Sequence, residues 1–366
     1  MIIITIKALA QTNSFNIRKK GEVHSGKVRS VYWLTNEDSR RLVKKNSYSV
    51  HKDTSLGVMI TSDRISAFNV NWHAEGDLQG VPGKGAALNA ISGRVFDLLE
   101  NLGADHHLLD KPHPLVWIVQ RASPPVMVES IARQYITGSM WRAYEAGERV
   151  FCGEELPKGL EKNQRLDSLL ITPTTKGILT GLNGVKEEDD TPITVKQIRK
   201  YWRELGFMQE NDVDKMLNLT KKAFEAIENF YSNLGQIFVD TKFEMGYFRN
   251  PSGPYSLGFM DEVATPDSSR MWNKKKYQQG IVSEESKEGF RAGLIDLFGK
   301  EMLTDESRVA EKKSLAMNTA LPSEQFAEVS KTYSQIALAV TGAELQIPEK
   351  PVQEIEDVLN DYGLML

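Results

Sequence analysis

Hydrophobic and polar positions follow two rhythms along this chain, and the change between them falls near residue 125. From Val23 to about Val119 short β-rich runs alternate with turn residues. Lys27 to Leu34, rich in Val, Tyr and Trp, and Leu56 to Thr61 predict strands. Gly80 to Gly85 has the glycine and proline density of a fixed loop. Ala87 to Leu99 places Leu88, Ile91, Val95, Leu98 and Leu99 on one helical face, and Leu115 to Arg121 reads as a further strand. Pro124 and Pro125 then break the chain and mark a boundary. Beyond it, Met127 to Arg133 predicts a strand and Ser139 to about Ala146 a short helix, whereas Gly153 to Asp190 keeps no period and reads mostly as loop. Thr194 can cap a helix carrying Ile198, Trp202 and Leu205. A longer helix over Asp212 to Leu234 has Val213, Met216, Ala223, Ile227 and Phe230 as its apolar stripe, and Phe326 to Val340 has another helical pattern before a tail rich in Glu, Pro and Asp. Such stripes are core rather than recognition surface. No repeat of solenoid period is present.

Composition narrows the class. The 366 residues suggest about two domains, and 40% hydrophobic with 26% charged residues and a mean hydropathy of −0.37 describe an ordinary globular chain. A net charge of −4 excludes a globally basic nucleic-acid binder but leaves room for a local basic pocket. The single cysteine, Cys152, excludes an intrachain disulfide framework and a multi-Cys zinc site, and fits a reducing cytoplasm. No apolar run approaches the ~18 to 20 residues of a membrane helix. Met1 to Ala10 lacks the features of a signal peptide and reads as a frayed end or short strand. The expectation is a cytoplasmic protein with neither membrane nor nucleic acid as partner.

The densest chemistry lies in Ile237 to Val263. A strand beginning at Ile237 puts Asp240, Lys242 and Glu244 on one face, the run from Asn250 to Pro254 signals a turn, and a hairpin centred near Ser252 sets Glu244 roughly opposite Asp261. Two carboxylates and a lysine on one surface suit Mg²⁺ beside substrate phosphates, and equally a solvated charged strand face. Gly26-Lys27-Val28-Arg29 behind a small-residue turn can approach phosphates or form a hairpin with a basic rim. Thr61-Ser62-Asp63-Arg64 can line a cleft or cap a helix, and Lys84 among glycines can meet a ligand or stand exposed on a loop. Arg133 with Thr137-Gly138-Ser139 at a helix start suits a phosphate monoester. Asp267-Ser268-Ser269-Arg270 repeats the combination, and two such sets in one half point to an anionic ligand. The six histidines lack metal-ligand spacing, and a solvated surface is expected for them, including His106-His107.

Seven motifs, in order, resemble those of the SAICAR synthetase (phosphoribosylaminoimidazole-succinocarboxamide synthase) family. They are Ser25-Gly-Lys-Val-Arg29, Thr61-Ser-Asp-Arg-Ile-Ser-Ala-Phe68, Val81-Pro-Gly-Lys-Gly85, Arg133 through Gly138-Ser139, Thr172-Pro-Thr-Thr-Lys176, Val239-Asp-Thr-Lys-Phe-Glu244, and Asp261-Glu-Val-Ala-Thr-Pro-Asp-Ser-Ser-Arg270. The match runs from about residue 23 to 300 and continues more faintly beyond. The resemblance implies an α+β, two-lobed fold related to ATP-grasp and kinase-like architectures, with ATP between a β-rich lobe and a larger α/β lobe. The corresponding division is an N-terminal extension at 1–20, a nucleotide-binding lobe at 21–125, a catalytic and substrate lobe at 126–320, and a C-terminal helical extension at 321–366. The implied reaction joins L-aspartate to the carboxylate of carboxyaminoimidazole ribotide (CAIR), consuming ATP and giving SAICAR, ADP and phosphate through an acyl phosphate.

Carried over position by position, the resemblance gives Lys27 and Arg29 to the ATP phosphates and Glu244 and Asp261 to Mg²⁺, with Lys242 and Asp240 on the nucleotide side. Arg133, Ser139 and Arg270 would bind the ribotide phosphate. Asp63, Arg64, Lys84 and Lys176 would line the reacting carboxylate and the aspartate, with Lys242, Asp63, Lys176 and Asp190 as the catalytic set. Ser30 and Asn69 stand where many members carry Asp, and Asp189-Asp190 follow a longer Gly177 to Glu188 segment in place of the usual His-Asp. The long C-terminal region is expected to pack on the catalytic lobe or to make a homo-oligomer contact. A small-molecule kinase is the alternative enzyme class, and it would not need aspartate. A non-catalytic nucleotide-binding scaffold would have lost members of the Asp240, Lys242, Glu244 and Asp261 set, and all four are present.

Overall fold

Two antiparallel sheets joined by the short crossover at residues 121–124 organise the chain. A computed structural model describes residues 8–366, and Met1 to Lys7 of the expected frayed end or short strand lie outside the described residues. The first half contains β1 (His24–Ser25), β2 (Arg29–Trp33), α1 (Asn36–Asn46), β3 (Leu56–Thr61), the hairpin β4 (Ile65–Ala67) and β5 (Val70–Trp72), α2 (Lys84–Glu100), β6 (Leu108–His113) and β7 (Val116–Gln120). Its sheet has the order β1-β2-β3-β7-β6. Every residue of β3 is buried because both faces are covered. Met59 faces the core that contains Leu88, Ile91 and Val95 of α2, while Leu56, Val58 and Ile60 face a second cluster. That second cluster is closed by both ends of the chain: Leu9, Phe15 and Ile17 meet Ile355, Leu359 and Leu364 there. Ile17 pairs with Met365, and the Leu366 amide donates to the Asn16 carbonyl at 2.8 Å.

The second half begins with β8 (Pro125–Tyr135), followed by α3 (Gly138–Glu145), β9 (Val150–Phe151), β10 (Glu154–Glu155), β11 (Arg165–Ile171), β12 (Thr174–Thr175), α4 (Val195–Lys200), α5 (Asp212–Asn233), β13 (Gln236–Arg249), β14 (Tyr255–Met260) and β15 (Ser269–Asn273). Its main sheet runs β11-β8-β13-β14, with β12 also on β8 and β15 on β13. Phe224 and Tyr231 of α5 stack on Phe238 of β13, which seats the helix on the sheet. The chain ends with α6 (Lys274–Gln278), α7 (Glu288–Phe298), α8 (Lys300–Thr304), α9 (Val309–Asn318), α10 (Ser323–Thr341) and α11 (Pro351–Asp361), of which α10 packs along α2. No helix among the described residues is long and apolar enough to cross a membrane.

Several elements depart from expectation for identifiable reasons. The segment from Gly153 to Asp190 holds strands as well as loop: β11 lies at the sheet edge, most of its residues are partly or fully exposed, and its register slips between Arg165 and Leu170, so no alternation marks it. Thr194 and Gln197 form a reciprocal capping box, but α4 stops at Lys200 and leaves Trp202 and Leu205 in the following turns. The Glu- and Pro-rich tail folds as α11, with Pro351 in its first turn and Ile355 and Leu359 buried.

Candidate active site

A cavity of about 810 Å³ opens between the two sheets. Arg29, Val31 and Met59 line it from the first sheet, the crossover residues Arg121 to Pro124 from the side, and Met127, Lys176, Glu244 and Asp261 from the second sheet.

The charged end of this cavity follows from strand register. On β13 and β8, Glu244 lies opposite Glu129, Lys242 opposite Ile131 and Asp240 opposite Arg133, so these side chains share one face. Carboxylates placed directly opposite repel. Lys242 relieves that repulsion: its Nζ donates to Glu129 Oε1 at 2.5 Å and to Glu244 Oε1 at 2.9 Å. Lys176, just beyond β12, donates to the other oxygen of Glu244, and Thr174 Oγ1 donates to Glu129 Oε2 at 3.2 Å. Burial alone would lift the Glu244 carboxyl, but the two lysines outweigh it and hold the group near 2. Burial lifts Glu129 to about 7 against the pull of Lys242, with the charges of Glu244 and Asp190 adding to the rise. Two carboxyls on one face thus have opposed proton affinities, the pattern that separates acid and base roles. Sequence reasoning missed Glu129, whose partner is 115 positions away; a period-two reading of β8 outward from Arg133 reaches it.

Asp261 closes the cluster. The hairpin sets Met260, rather than Asp261, across from Glu244, and Asp261 takes a left-handed conformation (φ 62°) just past the strand end. Its Oδ1 lies 3.5 Å from Arg29 Nη1, whose Nη2 is held by Glu262 at 2.8 Å. Burial raises the Asp261 carboxyl against the pull of Arg29, and the neighbouring charges of Glu244 and Glu262 push it the same way. Among the described residues no group of three or more His, Cys, Asp or Glu side chains forms a metal cage. Two crowded carboxylates on one cavity wall instead fit Mg²⁺, which takes one or two protein carboxylates and completes its shell with water and phosphate.

A second charged group lies farther along β13. Arg133 of β8 and Arg270 of β15 both sit in register with Asp240. Their Nη1 atoms donate to Asp240 Oδ2 at 3.2 and 2.7 Å. Arg133 also donates through Nε to Thr172 Oγ1 at 2.8 Å and through Nη2 to Ser139 Oγ at 3.3 Å. Arg270 Nη2 donates to Glu288 at 3.2 Å, a carboxylate shared with Arg291. The eight-residue helix α3 starts at this point with no side-chain cap, so its first N–H groups remain available to an anion. Gly138 is required: its φ is 57°, and a Cβ there would lie 2.7 Å from Arg270 Nη2. Three guanidiniums against two carboxylates, beside an uncapped helix start, have the chemistry that suits a phosphate monoester.

The remaining expected residues fall elsewhere. Neither Asp240 nor Lys242, both expected on the nucleotide side, lines the cavity: both arginines draw Asp240 into their own group, and Lys242 is held between Glu129 and Glu244. Lys27 is exposed and donates to Asn69 Oδ1 at 2.9 Å, so Gly26 and Arg29, rather than Lys27, face the cavity. Arg64 donates to Ser62 Oγ at 3.1 Å and to the Gly26 carbonyl at 3.2 Å, bracing the turn before β2. Asp63 is buried, accepting the Gly85 amide at 2.8 Å and the Leu9 amide at 2.7 Å. It caps the start of α2 from the loop between β3 and β4 and is not among the residues lining the cavity between the sheets. Lys84 is fully buried on Asp267, because Gly83 turns left-handed as the N-cap and the helix begins at Lys84 itself. Asp190 is exposed with φ 53°, while Asp189 closes the preceding loop by accepting the Gly177 amide at 2.7 Å. The solvated-histidine expectation fails at His107 and His113, which are buried. His107 sits among Phe96 and Trp117, burial lowers it to about 3, and its Nε2 pairs with the Asp261 carbonyl at 3.0 Å.

The SAICAR synthetase family model matches residues 44–304. The phosphoribosylaminoimidazole-succinocarboxamide synthase of Vibrio atlanticus is 52% identical over 362 residues, covering 98% of each chain. That of Shewanella oneidensis is 52% identical over 361 residues, again covering 98% of each. Among solved structures, the Saccharomyces cerevisiae SAICAR synthase complexed with SAICAR aligns with a TM-score of 0.62 at 23% identity, covering 88% of this chain and 94% of that one. A SAICAR synthetase in complex with ADP aligns with a TM-score of 0.57 at 18% identity, covering 89% and 100%.

Proposed function

The chain belongs to the SAICAR synthetase family, and from that membership we propose how its residues divide the family's reaction, the ATP-dependent joining of L-aspartate to the carboxylate of CAIR in purine biosynthesis. The cavity between the sheets takes ATP, with the base toward the crossover and the phosphates toward Arg29, Lys176 and Glu244. Residues 21–125 and 126–320 then act as two lobes of the ATP-grasp and kinase-like kind. Glu244 and Asp261 would hold Mg²⁺, which when bound offsets phosphate charge. Arg133, Arg270, Ser139 and the start of α3 hold the ribotide phosphate.

The observation that carries this reading is that both groups sit on one strand. Asp240 and Glu244 are four residues apart, about 13 Å at roughly 3.3 Å per residue. A substrate clamped by its phosphate at Arg133 and Arg270 therefore extends along β13 and presents its far end to Lys242 and Lys176. Those two lysines orient the ribotide carboxylate toward the γ-phosphate and neutralise charge as the acyl phosphate forms. Phosphoryl transfer asks for such positioning more than for covalent help. Glu129, with its raised proton affinity, and the nearby Asp190 are placed to take a proton from the attacking amine of aspartate.

The test is ADP release with Mg²⁺, ATP and CAIR, with and without L-aspartate. Sustained turnover only with aspartate, accompanied by SAICAR absorbance, is the expected result. Equal turnover without aspartate and a stable phosphorylated product would instead establish a kinase, the class that family membership disfavours.

A further inference from the structure

The segment from Asp261 to Arg270, made of the loop between β14 and β15 and the first two residues of β15, carries residues of both charged groups. Its anchor is Asp267, whose side chain is 4% exposed. Asp267 Oδ2 accepts Lys84 Nζ at 2.8 Å and Lys287 Nζ at 3.1 Å, and Oδ1 accepts the Tyr333 hydroxyl at 2.5 Å. These partners come from three separate elements: the first turn of α2, the residue before α7, and the middle of α10. The Tyr333 ring also lies beside Lys84, with Nζ 5.6 Å from its centroid. One turn earlier on α10, Ser330 Oγ donates to the Pro82 carbonyl at 2.8 Å, which ties α10 to the segment leading into α2. Tyr333 lies beyond residues 44–304, the stretch that the family model covers.

We propose that Tyr333 is a positioning residue for the ligation: by fixing Asp267 it sets the course of the 261–270 segment, and so the placement of Asp261 relative to Arg270. The proposal rests on the roles given to those two residues above. Both lysines occupy one oxygen of Asp267, so Tyr333 alone restrains the other and stops the carboxylate from turning. The C-terminal region is on this account part of the catalytic apparatus. A misplacement of about 1 Å in a reacting constellation can cost about a hundredfold in rate, and loosening one anchor of three is expected to cost about a tenth of that.

The experiment compares Tyr333→Phe with Val329→Ala, a buried α10 residue whose side chain cannot hydrogen-bond to Asp267, and with Arg270→Ala. In Tyr333→Phe both lysines still neutralise Asp267, so the fold is retained. Its kcat is expected to fall about tenfold, with the KM for CAIR and the Mg²⁺ concentration for half-activation rising together, because one loop serves both. Val329→Ala should lower Tm and leave these constants near wild type. Wild-type constants in Tyr333→Phe, or the same changes in Val329→Ala, would overturn the proposal. An unchanged CAIR KM in Arg270→Ala would remove the site reading itself, and this proposal with it.

Discussion

Replacing Asp240 by Asn removes the one carboxylate that Arg133 and Arg270 share, while keeping its shape and one acceptor oxygen. All three side chains are at most 20% exposed, so water screens little of the change. Breaking a buried ion pair by removing one partner costs about 3 to 5 kcal/mol. Arg270 keeps Glu288, so the lower end applies, and at about 2 °C per kcal/mol for a chain of this size Tm should fall by about 6 °C. A phosphate brought to the same place should have the opposite preference. In the wild type it meets the Asp240 charge; in Asp240→Asn it meets two guanidiniums with one counter-charge fewer. Inorganic phosphate should therefore raise the Tm of the variant more than that of the wild type. The assay is thermal denaturation of both proteins near neutral pH, with phosphate exchanged for chloride at constant ionic strength, since added salt alone would screen the arginines. A variant as stable as the wild type, or one that gains no more from phosphate, would refute the claim that these arginines form an anion site balanced by Asp240.

Three further outcomes are expected. Glu244→Gln and Asp261→Asn should each abolish ADP release while leaving the circular dichroism spectrum unchanged, and near-normal kcat in both would remove the Mg²⁺ assignment. Glu129 has a folded pKa near 7 against an ordinary 4.5, so between those values the native state binds the extra proton. Stability should fall as pH rises through that window, by at most about 3 kcal/mol, and urea melts across it should show a shallower fall in Glu129→Gln; identical slopes would contradict the burial argument. Asp63→Asn should cost about 1 to 3 kcal/mol by weakening the cap on Gly85 and Leu9, with all substrate KM values unchanged, and a raised KM would return Asp63 to the binding site.

Much of the site was legible because single segments contain much of it. The period of two along β13 is enough to place Asp240, Lys242 and Glu244 on one face, and the arginine beside the start of α3 is a local signal. What stayed hidden depends on pairing between distant segments. Glu129 becomes informative only once β8 and β13 are in register, and Asp240 moves from the Lys242 and Glu244 group to the arginine group only once β15 brings Arg270 beside it. Lys84 and Asp63 were misplaced because a glycine-rich loop and a helix start look alike in sequence. The left-handed Gly83 decides between them, and it buries both side chains. The α11 helix was obscured by its own polar face, since only Pro351, Ile355 and Leu359 of its eleven residues are buried.

The meeting of the two chain ends has a consequence for biosynthesis. The first sheet is complete in sequence at Gln120, yet the cluster on the face of Leu56, Val58 and Ile60, which Leu9, Phe15, Ile17 and Leu42 cover in part, stays open until Ile355, Leu359 and Leu364 arrive. On the ribosome those residues appear some 240 codons later, a delay of about 12 to 50 s at roughly 5 to 20 residues per second. Through that interval the nascent chain carries a partly covered apolar sheet face, open to chaperones and to its neighbours on the same message. Loss of Ile355 to Leu364 would thus be felt first in the half of the protein made first.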